Sequence, residues 1–110
     1  MKKGQKYAVI SQPMAGMSSS DVRKVRDKII KDLKRSGYKV FETYYDGEEP
    51  YLDNDRNGVN CLGNVLKKIA LSDLVVFVEG WEQARGCQVE HLICERYNIP
   101  HITYGVDEIQ

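Results

Sequence analysis

Neither sign of charge predominates in this chain, no apolar run approaches a membrane span, and its cysteines form no paired framework. The 16 basic and 16 acidic residues cancel, so no net field draws in nucleic acid or an acidic bilayer. A spanning helix needs about 20 consecutive apolar residues, and no stretch here comes near that. No signal-peptide core follows Met1, and Lys2, Lys3 and Lys6 read as a solvated basic start. Three cysteines are an odd number without framework spacing, which suits a reducing compartment. Cys87 and Cys94 fall on one helix about 10 Å apart, too far to bridge. The expectation is a cytoplasmic protein with no membrane or nucleic-acid partner. No repeat, linker or low-complexity tract divides the 110 residues, so one domain over 1–110 is expected.

What is present alternates short apolar runs with amphipathic stretches. Tyr7-Ala8-Val9-Ile10 reads as a buried strand, and Ser18-Ser19-Ser20-Asp21 as a cluster of helix N-caps. Val22, Val25, Ile29, Ile30 and Leu33 then mark a long helix that Gly37 ends. Lys39 to Thr43 reads as strand two, and Leu62, Val65, Leu66, Ile69 and Ala70 mark a second helix. Leu74 to Val78 has no alternation and predicts a strand covered on both faces. A third helix is expected over Cys87 to Tyr97, and a fourth strand over Ile102 to Tyr104. This β-α-β-α-β-α-β pattern predicts an α/β fold: a three-layer, flavodoxin-like parallel sheet in the order 2-1-3-4. In that order one helix serves one face and two serve the other. Half of the first face, over strands three and four, is then left bare. A parallel sheet does not tolerate that, which predicts a homodimer or higher homo-oligomer.

The candidate reactive group is Glu90. The third helix is expected to bury Val89, Leu92, Ile93 and Tyr97, with His91, Glu95 and Asn98 on the solvated side. At about 100° per residue Glu90 lies inside the apolar stripe, roughly 60° from Ile93. A first-turn acid on the inward side, just past the carboxyl end of a parallel strand, stands where open α/β sheets hold ligands. The plainer alternative is an acid that favours the helix dipole.

Other segments are read around it. Ser11 to Met17 joins strand one to helix one, where Gly16 permits close backbone approach. Ser18, Ser19 and Ser20 sit at a helix start that attracts anions, although capping alone also explains them. In the expected strand order this loop shares a crevice with Glu90. Trp81, between Gly80 and Gly86, is either a core edge or a flat wall for a base. The segment Tyr44 to Asn60 is long enough to be a lid, with Tyr44, Tyr45 and Tyr51 available for stacking. Asp53-Asn54-Asp55-Arg56-Asn57-Gly58 matches the first half of a calcium loop. Its twelfth position is Asn64 rather than glutamate, so a polar Asx-rich turn is the reading. Cys87, at a helix start, is either an activated thiol or a small packing residue. His91 and His101 have no ligand-like spacing, and no metal or cofactor is expected.

The opening Ile10-Ser11-Gln12-Pro13-Met14-Ala15-Gly16 resembles the first-strand loop of the nucleoside 2-deoxyribosyltransferase-like superfamily, in particular its small bacterial and phage members. The block Ser72-Asp73-Leu74-Val75-Val76-Phe77-Val78-Glu79-Gly80-Trp81-Glu82, with Arg85-Gly86-Cys87-Gln88-Val89-Glu90, resembles that superfamily's signature around its nucleophile. The resemblance implies a flavodoxin-like oligomer with active sites near subunit interfaces. It also implies chemistry on the N-glycosidic bond of a nucleoside or 5′-nucleotide, with Glu90 as the attacking carboxylate. Gln12, Pro13, Met14, Gly16, Ser18, Ser19, Ser20, Tyr44, Gly80, Trp81 and Gly86 form the expected substrate-binding set. Two positions depart from the family pattern. Asn64 and Val65 stand where an aspartate is usual, and Ala84 stands where the deoxyribosyltransferases proper carry another. Asp73 lies at the wrong end of the sheet to replace them. The alternative expectation is therefore a module that captures a nucleotide without turning it over.

Overall fold

The computed structural model describes residues 4–14, 16–43 and 56–109. Tyr44, Tyr45, Tyr51 and the first half of the calcium-like segment, Asp53 to Asp55, lie outside them. Four parallel strands, β1 (Lys6–Ser11), β2 (Tyr38–Val40), β3 (Leu74–Phe77) and β4 (His101–Thr103), form one sheet in the order β2-β1-β3-β4. The helices are α1 (Ser19–Arg35), α2 (Asn57–Ile69) and α3 (Arg85–Arg96). A single 3-10 turn, Trp81–Gln83, precedes α3. This is the expected α/β, three-layer flavodoxin-like arrangement. No helix among the described residues is long and apolar enough to cross a membrane.

The two sheet faces follow from strand alternation. Ala8, Ile10, Leu74 and Val76 point to one side and pack with Ile29 and Leu33 of α1. Val9, Val75 and Phe77 point to the other and pack with Ile69 and Cys94 of α2 and α3. Burial of these aliphatic and aromatic groups is the main favourable term for the fold. Helix α1 starts where Ser18 Oγ accepts from Asp21 N–H at 3.1 Å. It ends at Gly37, whose φ of +90° is one that side chains resist.

Three expectations are corrected. The face over β3 is not bare, since Leu74 and Val76 are buried within one chain. Tyr104 and Ile109 pack beside them, and Tyr104 Oη donates to Asp32 of α1, tying the returning tail to the helix. Helix α3 does not bury the stripe of large apolar side chains. Val89, Leu92 and Tyr97 are exposed, and the buried face is Cys87, Glu90 and Cys94. His91 is half-buried rather than solvated, stacked on Trp81 with ring centroids 3.9 Å apart and edge-on to Phe77. Small cysteines let α3 sit close against the sheet, which turns the bulkier residues outward. Of the second-helix stripe, Ile69 is buried and Ala70 exposed. Gly58 lies inside α2, so the sharp turn a calcium loop needs at its sixth position is absent.

The corrected packing makes a direct prediction. Phe77→Ala, at the centre of the aromatic cluster, is expected to cost about 3–5 kcal/mol. Tyr97→Ala, at a position 72% exposed, is expected to change stability by less than about 0.5 kcal/mol. Urea unfolding followed by circular dichroism separates the two, and a large effect at Tyr97 would restore the first assignment of the helix face.

Candidate functional site

Three chain segments converge beyond the carboxyl ends of β1 and β3. The first is the end of β1 with its following loop, which brings Ile10, Ser11, Gln12, Pro13 and Met14. The second is the start of α3, from Gln83 through Gly86 and Cys87 to Glu90. The third is the inner side of α2, with Gly58 and Val65, closed at the back by Thr43 after β2. Together they enclose a cavity of about 410 Å³. A smaller annex of about 190 Å³ continues between Met14, Cys61, Leu62 and Glu90.

Glu90 is 7% exposed and reaches this cavity from the inward face of α3. It is the single acid among the described residues that line it. Gly86, one turn earlier, leaves the carboxylate open. A methyl group there would stand 3.8 Å from Glu90 Oε2 and would narrow the entrance. Burial raises the Glu90 pKa above the ordinary glutamate value, and Ser11 and then Arg26 oppose that rise. Ser11 Oγ lies near enough to favour the charged carboxylate and the Cys87 thiolate. It nevertheless makes no hydrogen bond of ordinary geometry, although it is buried. A buried hydroxyl without a partner beside an open cavity is one that a ligand atom can satisfy.

Cys87 and Cys94 flank Glu90 on the same helix face. Burial pushes the Cys87 thiol up, with a further push from Glu90. Cys94 is pushed up to about 11 by the same two causes. Neither thiol is activated, so the packing role stands for Cys87. Among the described residues, no three His, Cys, Asp or Glu side chains are grouped to hold a metal.

The expected binding set divides. Gln12, Pro13, Met14 and Gly86 line the cavity with Glu90. Ser18, Ser19, Ser20 and Gly16 are exposed and lie outside its lining, because the serines serve the start of α1 instead. Gly80 does not line the cavity. Its φ of +93° carries the chain past Pro13 into the 3-10 turn. Trp81 lies outside the cavity lining. It packs against the Val9, Val75 and Phe77 cluster and stacks on His91. Tyr44 lies outside the described residues.

Three residues at or behind the cavity fall outside the expected binding set: Ser11, Thr43 and Arg26. Arg26 has no exposed surface. Its position repeats the Val22, Ile29 and Leu33 stripe, so a charge at an apolar site was the available signal, as it was for Glu90. Ala84 and Val65 also line the cavity. Asp73 sits at the amino end of β3 and accepts from Tyr7 N–H at 2.7 Å. It borders a surface hollow of about 550 Å³ that is larger than the Glu90 cavity. That hollow lies at the opposite end of the strands from the loops that hold ligands in such sheets. No family model matches the chain, and no curated protein matches it.

The pKa direction of Glu90 sets a pH-dependent stability. The folded chain keeps a proton on Glu90 over a pH range in which the unfolded chain has released it. Stability therefore falls as pH rises from the unfolded value, about 4.3, through the higher folded value. Glu90→Gln removes the buried charge and is expected to be more stable than the parent at pH 7. That difference should shrink towards pH 4. Thermal melts at the two pH values measure it, and identical melts at pH 7 would count against a destabilising buried carboxylate.

Proposed function

We propose that the protein cleaves or transfers across the N-glycosidic bond of a nucleoside or 5′-nucleotide, with Glu90 as nucleophile. The observation that carries this reading is a buried carboxylate facing a cavity of about 410 Å³ beyond the carboxyl ends of β1 and β3. In the first step a Glu90 oxygen bonds to the anomeric carbon. The carbon–nitrogen bond breaks, and its electron pair leaves with the base, which takes a proton from solvent or from an acid. In the second step water, or another base, attacks the same carbon, breaks the ester and returns Glu90 as a carboxylate. Gln12, Pro13, Met14 and Gly86 contact the substrate, and Ser11 offers its free hydroxyl to the sugar.

A second reading has its own support. No acid besides Glu90 lines the cavity among the described residues, so a general acid for the leaving base is lacking there. Capture of a nucleotide without turnover fits that composition. Incubation with a panel of nucleosides and 5′-deoxynucleotides, assayed for free base, tests both. Base release is expected from the parent and is expected to fall at least about 100-fold in Glu90→Gln, the loss of a covalent nucleophile. Its acid limb should lie above the ordinary glutamate range, because only the carboxylate attacks and burial raises its pKa. Retained ligand without release in both proteins favours capture, and neither binding nor release rejects both.

The same reading includes a homodimer, its contact moved from the sheet face to the outer sides of α2 and α3. Val59 is 70% exposed and Leu92 is 47% exposed there. Val59, Leu62 and Val89 border a shared hollow next to Gly86 at the cavity edge. Light scattering is expected to give a dimer for the parent and a folded monomer for Leu92→Glu. A parent monomer at micromolar concentration rejects the dimer.

A further inference from the structure

Arg26 contacts the wall of the Glu90 cavity from behind. Its Nη1 donates to Gln12 Oε1 at 3.4 Å, and its Nη2 donates to Thr43 Oγ1. Both acceptors line the cavity. Each is also tied to the backbone. Gln12 Nε2 donates to Val22 O at 3.0 Å, and Thr43 Oγ1 donates to Ile10 O at 3.3 Å. The remaining nitrogen, Nε, faces Glu42 Oε1 at 3.6 Å without a hydrogen bond. An arginine kept only for a surface ion pair would point at Glu42 and leave its head in water. This one forks inward onto two side chains of the site, a geometry that a lysine cannot reproduce.

We propose that Arg26 is a positioning residue for the Glu90 site. It clamps Gln12 and Thr43 as the rear wall and supplies the buried positive charge against which Glu90 is held ionised. The inference rests on the reading of Glu90 as the functional group of this cavity. The groups that face Glu90 are Ser11 from β1, Arg26 from α1, Cys87 and Cys94 from its own helix, and Cys61 of α2 across the annex. Arg85 lines the same cavity. Around Arg26 stand Glu42, Arg23 and Asp27. Arg85 is exposed to screening water, whereas Arg26 is wholly buried. The half-exposed Glu42 partly neutralises it from the far side.

Carbon-13 NMR of glutamate side chains titrates Glu90 directly, its signal being the one lost in Glu90→Gln. Arg26→Gln is expected to raise the Glu90 midpoint by about one pH unit, whereas Arg26→Lys, which keeps the charge, should remain near the parent. Both variants should shift the Gln12 side-chain amide signals, because each loses the fork. Glu42→Gln should move the midpoint the opposite way, since Arg26 is then less neutralised. An unmoved midpoint in folded Arg26→Gln overturns the proposal, as does Arg26→Lys behaving like Arg26→Gln. Should Arg26→Gln fail to fold, Glu42→Gln decides: a lowered midpoint supports the proposal and an unmoved one overturns it. The titration needs no turnover. A parent that releases no base therefore rejects the glycosidase reading alone, and an active parent with an unmoved midpoint rejects Arg26 alone.

Discussion

The fold must accommodate two opposite charges buried at one end of a small parallel sheet. Arg26 comes from α1 on one face and Glu90 from α3 on the other. A buried ion is tolerated when a counter-charge and hydrogen-bonding groups surround it, and removing one partner strands the other. Gln12, Thr43 and Glu42 supply those groups for Arg26. Glu90 has only the unaligned Ser11 hydroxyl and the open cavity. Two nitrogens of the arginine are bonded within the protein, whereas the carboxylate faces the cavity.

The rest of the chain serves that arrangement. Aliphatic strand residues on both faces bring α1 and α3 against the same sheet, and the glycine at 86 leaves room in front of the carboxylate. The cysteines flanking Glu90 contribute small volume and inert thiols rather than chemistry. Burial raises the Glu90 carboxyl and both neighbouring thiols above their ordinary values.

Much of this was legible in the residues. Four apolar runs separated by amphipathic stretches define the parallel sheet, and crossover handedness restricts its order to the one found. Glu90 was found because an acid interrupts a helix face. Arg26 interrupts another in the same way and escapes that reading, because the α1 stripe is traced through its apolar members Val22, Val25, Ile29, Ile30 and Leu33 alone. The face of α3 was misjudged for a related reason. Periodicity weighs large apolar side chains heavily, whereas the close approach to the sheet selected Cys87 and Cys94. The covering of β3 by Tyr104 and Ile109 had no sequence signal, since it depends on a hydrogen bond to Asp32 that is 72 residues away in the chain.

The place of Trp81 has a practical side. It is the only tryptophan in the chain, and its indole lies flat against the His91 imidazole, away from the lining of the Glu90 cavity. His91 in turn has Glu95 beside its Nδ1 at 3.3 Å and the His101 ring edge-on to it. The emission of this one tryptophan therefore reports the packing of the ring cluster on the flank of α3. A silent spectrum during a ligand titration says nothing about an empty cavity.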